Sequence, residues 1–317
     1  MNDPTFTPVS LIVPPFPNFF TIETVKLCNS RCVFCSIKGW PKHTPFMADA
    51  LFDKILMDIG ANASHVEQVC LNGNGEPLLD KKICQRVRQC KEAGIKKVIL
   101  TTNASLLTEE ISSELLHAGL NEILFSINGL DKQKYEQLRV GLNFDVVMKN
   151  ALTFVACRNR INPQTQIRMR MEAHPIFTNR DIAEWTLFWD KTLAKNDQVH
   201  AKKMHSWGNQ IDDFKNRSIF ARPCQVLWST MNILSDGKVA LCCIDYVPKV
   251  ELGDLNRETI TEVWTAEKIS NVRALHSVGM RDKIPLCCGC KIWDEDQKIV
   301  CDDSSQSGIE VGTAKNC

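Results

Sequence analysis

The chain has 317 residues, 44% of them hydrophobic and 24% charged, with a formal net charge of +1. That is room for one large domain, or one large and one small, of ordinary globular composition. The neutral balance gives no support to a nucleic-acid partner, no run reaches the roughly 20 apolar residues of a membrane span, and the proline-broken N-terminus lacks the basic start of a signal peptide; the expectation is a cytoplasmic protein.

In chain order, "FFTIETVKL" (Phe19 to Leu27) reads as a first strand. It is followed by a loop with three cysteines, Cys28, Cys32 and Cys35. Apolar residues at helical spacing predict a helix over Ala48 to Ala61. Strands follow over Val66 to Asn72, Lys96 to Thr102 and Asn121 to Ile127, separated by helices over Asp80 to Gly94 and Thr108 to Gly119. One longer helical region covers about residues 131–160. "QIRMRMEA" (Gln166 to Ala173) alternates like a strand, a helix opens at Asn179 and runs to Ala194, and Gln198 to Met204 is a sixth strand. Past about residue 215 the helical repeat stops. Trp228 to Cys243 reads as a hairpin turning at Asp236-Gly237.

Six strand–helix repeats predict a parallel α/β sheet with right-handed crossovers. Six fall short of a closed eight-stranded barrel. The fold class expected is a partial, TIM-like (βα)6 barrel with a small cysteine-rich C-terminal domain. Ligands of such sheets bind at the carboxyl ends of the strands, where the first cysteine loop lies. The expected organisation is an extension over 1–18, the barrel over 19–215, the cysteine-rich unit over 216–301 and a mobile tail over 302–317.

Fifteen cysteines are unusual for a reducing compartment, where clustered thiols more often bind metal or do chemistry than form disulfides. Cys70, Cys84, Cys90 and Cys157 each lie alone in an expected strand or helix and read as small buried hydrophobes. The clustered ones do not. Three closely spaced thiolates suit an iron–sulfur cluster with one iron left open; a structural zinc site wants four closed ligands. Downstream lies a second group of Cys224, Cys242, Cys243, Cys287, Cys288, Cys290 and Cys301. Zinc is the rival reading there.

Cys28-x3-Cys32-x-Phe34-Cys35 after a first strand resembles the radical S-adenosylmethionine superfamily. The resemblance implies a [4Fe–4S] cluster on Cys28, Cys32 and Cys35, with Phe34 as the motif's aromatic. Its open iron would chelate S-adenosylmethionine and lead to a 5′-deoxyadenosyl radical. "NGNGEPLL" (Asn72 to Leu79) resembles the family's Gly-Gly-Glu-Pro segment, with Gly75 for close backbone approach and Glu76 to accept from the cofactor ammonium. Asn103, Ser126 and Asn128 end strands where members bind the ribose. Arg168, Arg170 and Glu172 share one strand face. They suggest a wet interior, and Arg170 is the choice for a carboxylate partner.

The later cysteines resemble a SPASM domain in its shorter twitch form, which implies a second [4Fe–4S] cluster on Cys224, Cys242, Cys287 and Cys290. Either member of the doubled pairs Cys242/Cys243 and Cys287/Cys288 fits as ligand. Members of this size act on sugars and aminocyclitols, which points to hydrogen abstraction from a carbinol carbon of a small polar molecule, giving epimerisation or a ketone. Cys243, Cys288 or Cys301 would return hydrogen in an epimerisation. His205, Asp245 and Tyr246 are candidates to bind or deprotonate substrate. A flavodoxin- or ferredoxin-type reductant is implied. The alternatives are a peptide-modifying SPASM enzyme, for which about 20 residues before the first strand leave little room, and a non-catalytic iron–sulfur electron carrier.

Overall fold

The computed structural model describes residues 11–36, 46–204, 223–245, 248–288 and 290. Strand–helix alternation over the first two thirds runs β1 (Phe19–Ile22), α1 (Asp49–Ala61), β2 (Gln68–Cys70), α2 (Ile83–Glu92), β3 (Lys97–Thr102), α3 (Glu109–His117) and β4 (Glu122–Ser126). It continues through α4 (Lys132–Leu138), α5 (Phe144–Ile161), β5 (Gln166–Ala173), α6 (Asn179–Thr192) and β6 (Gln198–Lys203). These six strands pair in parallel and in sequence order.

Period-two alternation decides which face each residue takes. Phe20, Ile22, Val69, Val98, Leu100, Ile123, Phe125, Ile167 and Met169 pack on the helices in one core with Phe52, Ile55, Leu115, Phe154 and Trp185. The residues between them form the other wall: Thr21, Cys70, Thr101, Ser126, Arg170, Glu172 and His200, of which all but Ser126 are partly exposed. A closed TIM barrel fills its interior with branched apolar side chains. This inner wall also holds the buried Ile99 and Leu124, but most of its residues are polar and partly exposed.

Two helical expectations are corrected. The single helix over 131–160 is two. α4 ends at Arg139, Gly141 takes a φ of +93°, and Asn143 caps α5 by accepting from the Val146 N–H. The opening of α6 is capped by Thr178, whose hydroxyl accepts from Asp181 while Asp181 returns to the Thr178 N–H.

The hairpin forms as β7 (Thr230–Ile233) and β8 (Lys238–Ala240), turning at Gly237 with φ +89°. It is not a separate sheet. β7 pairs in parallel with β1, Phe19 opposite Thr230 and Ile22 opposite Ile233. β9 (Glu251–Asp254) then closes a nine-stranded order β6-β5-β4-β3-β2-β1-β7-β8-β9. Helices also return, as α7 (Ile260–Thr265) and α8 (Glu267–Ser277), against the expectation that they stop. Trp264 of α7 is buried and donates to the Pro14 carbonyl at 2.8 Å, tying the C-terminal helices to the chain ahead of β1.

Candidate functional site

The first cysteine loop leaves β1 at its carboxyl end and is clasped by the break between α4 and α5. Arg31 N–H donates to Val140 O at 2.7 Å and Val33 N–H to Leu138 O at 3.0 Å. A side chain at Gly141 would press on Asn29 O. Cys35 N–H closes a turn onto Cys32 O at 3.1 Å, and Ser30 Oγ lies 3.0 Å from Cys32 Sγ. Burial pushes the Cys28 thiol up to about 12, and Glu76, Cys32 and Cys35 add to the shift, so the three thiols share one field.

Three expected cofactor-binding residues are knit to this loop. Glu76 is buried, with its pKa raised to about 7, chiefly by burial. Its Oε1 accepts from Thr102 Oγ1 at 2.7 Å and Leu78 N–H at 3.1 Å, and its Oε2 from Asn103 N–H at 2.8 Å. A carboxylate oxygen has two acceptor positions, so these bonds leave Oε2 one. Asn103 Nδ2 donates to Asn29 Oδ1 at 3.0 Å and lies 3.9 Å from Cys28 Sγ. At Gly75 the reason for glycine differs from the expected one. A Cβ there would meet Val25 O at 2.1 Å and Leu27 O at 2.7 Å, so it is the chain's own backbone that comes close.

The other strand-end residues converge on a residue that sequence reading missed. Arg139 is buried. Its Nε and Nη2 donate to Asn128 Oδ1 at 3.0 and 2.5 Å, its Nη1 lies 3.7 Å from Cys32 Sγ, and its guanidinium stacks 5.0 Å from the Phe34 ring. Asn128 Nδ2 donates to Glu172 O at 2.6 Å. Arg170 donates to Ser126 Oγ at 3.3 Å and pairs with Glu172 at 3.4 Å. Arg168 is drawn to the buried Glu122 at 2.7 Å, which also holds Lys97 at 2.6 Å. Glu23 was missed too. Buried, and with its pKa raised by that burial, it accepts from Asn74 N–H at 3.1 Å and Ser235 N–H at 3.3 Å, joining the GNGEP loop to the hairpin turn. Neither residue carries a motif; both sit beside one.

The second group gathers where the β7–β8 ladder runs toward the Phe19 end of β1. Cys224, Cys242, Cys287 and Cys290 line one recess with Leu241, Ile244, His276 and Arg281. Cys243 and Cys288 are partly buried and do not line it. Burial raises the Cys224 thiol to about 12, with Cys242 and Cys290 adding to it, and the Cys287 thiol further still. Such crowded, uncharged thiols fit a metal cluster, which takes them as thiolates and supplies the compensating charge.

His276 adds a second sign of fit. It is fully buried, its pKa is lowered to about 4 by burial and by Arg281, its Nδ1 accepts from Cys224 N–H at 3.2 Å, and its Nε2 has no partner among the described residues.

Asp245 follows the second group, its N–H donating to Cys242 O at 3.0 Å. It is buried and its pKa is raised by burial, against the Lys249 N–H that donates to it at 3.1 Å and the charge of Lys26, two residues before Cys28. Cys90 and Cys157 are core residues and Cys84 packs on that core. Cys70 is not plain packing. It faces the inner wall and its Sγ donates to Asn72 Oδ1 at 2.7 Å. His205, Tyr246 and Cys301 lie outside the described residues.

Residues 22–160 match the Radical SAM superfamily, and residues 224–291 match SPASM, an iron–sulfur cluster-binding domain. A probable GTP 3′,8-cyclase from Sulfolobus acidocaldarius is 25% identical over 83% of this chain and 92% of its own length. A GTP 3′,8-cyclase from Peptoclostridium acidaminophilum is 31% identical over 42% of this chain, and that match spans 41% of its own length. Among solved structures, BtrN in complex with AdoMet and 2-DOIA superposes with a TM-score of 0.59 at 18% identity, over 86% of this chain and 92% of that one. SuiB of Streptococcus suis bound to precursor peptide SuiA gives 0.65 at 18% identity, over 83% and 68%. Native anSMEcpe with bound AdoMet and Cp18Cys peptide gives 0.61 at 18% identity, over 88% and 91%. At such identity these likenesses speak for the fold.

Proposed function

We propose, on the premise that this chain is a radical SAM superfamily enzyme with a C-terminal SPASM domain, that it takes a hydrogen atom from a carbinol C–H of a small polyol, amino sugar or aminocyclitol. When bound, a [4Fe–4S] cluster with S-adenosylmethionine at the first site supplies a 5′-deoxyadenosyl radical, and a cluster at the second supplies a one-electron acceptor.

The observation that carries the reading is the arrangement along β1. One cysteine group follows its Ile22 end and the other gathers toward its Phe19 end, so one short strand ties both to the same sheet. The inner face of that sheet carries Thr21, Cys70, Ser126, Arg170 and His200. Such a wall suits hydroxyl and amino groups, which need partners when they leave water. In the oxidative outcome Asp245 is the candidate to take the hydroxyl proton as a ketone forms. In the epimerising outcome a thiol returns hydrogen, and Cys70 joins Cys243, Cys288 and Cys301 as a candidate.

A second reading has support of its own. The likeness to a probable GTP 3′,8-cyclase over 83% of this chain favours a nucleotide substrate, for which Arg170 and Lys202 on the inner wall offer cationic partners. One experiment separates the readings. Anaerobically reconstituted protein is reduced with dithionite, and 5′-deoxyadenosine is measured with inositols, hexosamines, aminocyclitols, GTP and a cysteine-containing peptide in turn. Stimulation by the polyol group supports the proposal. Stimulation by GTP alone or peptide alone replaces it. Absence under every condition and reductant favours the electron carrier.

A further inference from the structure

His276 lies in the recess that Cys224, Cys242, Cys287 and Cys290 ring, and nothing above gives it a task. The Cys224 N–H donates to its Nδ1 at 3.2 Å. A ring nitrogen that accepts carries no proton, so geometry alone places the ring proton on Nε2. That Nε2–H is shielded from water and has no acceptor among the described residues. The Trp228 ring is the neighbouring aromatic, with its centroid 6.5 Å away. Buried donors left unmet are rare, because each forfeits its hydration without return. The atoms still to be supplied in this recess are those of the group the four thiols hold.

We infer that His276 Nε2–H donates a hydrogen bond to a sulfur of the cluster at the second site and holds its reduction potential up. The inference rests on that site carrying an iron–sulfur cluster. A donor aimed at sulfur stabilises the state with the extra electron, because the sulfurs take up much of its charge; hydrogen bonds to sulfur are among the main determinants of cluster potential. The ring is fixed by the main chain of Cys224, itself one of the four cysteines, so donor and cluster are positioned by the same residue. Arg281, buried on the same recess, donates to Cys290 O at 2.6 Å and adds positive charge in the same sense. His276 is thus a positioning and tuning residue and touches no substrate.

The test uses the full chain, reconstituted with iron and sulfide, with Cys28, Cys32 and Cys35 replaced by alanine so that only the second site contributes. Redox titration followed by electron paramagnetic resonance reads its midpoint. His276→Phe should bind the electron at least tenfold more weakly, a fall of about 59 mV for a one-electron couple. It should also lose one exchangeable proton coupling when spectra in H2O and D2O are compared. His276→Gln, able to accept from Cys224 N–H and still donate, should recover both. An unchanged midpoint with the coupling retained in His276→Phe would overturn the inference, as would a fall that His276→Gln does not repair. Should His276→Phe fail to hold iron, the comparison of His276→Gln with the parent decides alone: matching midpoint and coupling support the inference, and loss of either overturns it. A parent protein with no iron at the second site removes the cluster itself, and the inference with it, an outcome that iron analysis distinguishes from a mere lack of tuning.

Discussion

Arg139 shows how a single side chain can hold a site without belonging to any motif. Its guanidinium is buried against Asn128, Phe34 and Cys32, and replacing it by leucine leaves the Asn128 oxygen without its donor. Arg139→Leu should cost about 1–3 kcal/mol and lower iron loading at the first site in particular, read from thermal unfolding and from spectra of the reconstituted protein. Glu76 carries a pH signature. Burial raises its pKa to about 7 in the fold, above the ordinary 4.5. The unfolded chain therefore loses this proton first, and stability that is full below about 4.5 declines as pH rises toward 7, by about 1.4 kcal/mol for each pH unit crossed. Before clusters are loaded, the midpoint of wild type should fall across that window relative to Glu76→Gln; parallel curves would refute the assignment. Spacing made the cysteines and the Gly-Glu-Pro run legible in the sequence. Arg139, Glu23 and His276 were not, because their role comes from burial beside a motif and burial is decided by neighbours far along the chain.

At the scale of elements, the barrel strands and helices follow from periodicity, and β5 matches its expected span residue for residue. The failures have physical causes. The α4–α5 break rests on Gly141, one residue inside an otherwise helical composition. Gly141→Ala should cost about 1–3 kcal/mol for the left-handed backbone it forces and should loosen the clasp on the cysteine loop, so iron at the first site falls while the second stays loaded. α7 was legible after all: Thr259 and Glu262 form a capping box ahead of Ile260 and Val263. β9, four residues with a glycine inside, has too little alternation to be seen. Cys70 was misread because a strand pattern does not tell which of its two faces is wet. On β7, Asn232 is 3% exposed and neither amide atom has a partner among the described residues. Asn232→Leu should therefore raise the unfolding midpoint, since an unmet buried amide costs about 1–3 kcal/mol; a lower midpoint would mean that the amide is satisfied.

For the whole molecule, the C-terminal cysteine-rich part completes the sheet. β7 takes up the free edge of β1, and α7 packs near α1 through Ile260 N–H to Asp58 at 2.8 Å. A chain cut after residue 222 would expose that edge together with the apolar surface of Phe16 and Phe20. Its loss of a cooperative thermal transition, with dye-detected apolar exposure, is the expected outcome; a fragment that melts cooperatively would make the barrel self-sufficient. Among the described residues no helix is long and apolar enough to cross a membrane.

The pairing of β1 with β7 also makes a ruler. Two loops that would each carry iron spring from one ladder of main-chain hydrogen bonds, Phe19 N–H to Ser229 O at one end and Glu23 N–H to Ile233 O at the other, at 2.9 and 2.8 Å. The offset between the two loops along the sheet is then graduated in peptide units. Variation in what such a molecule transforms is left to the side chains along the inner wall, which can change one at a time while the span stays constant.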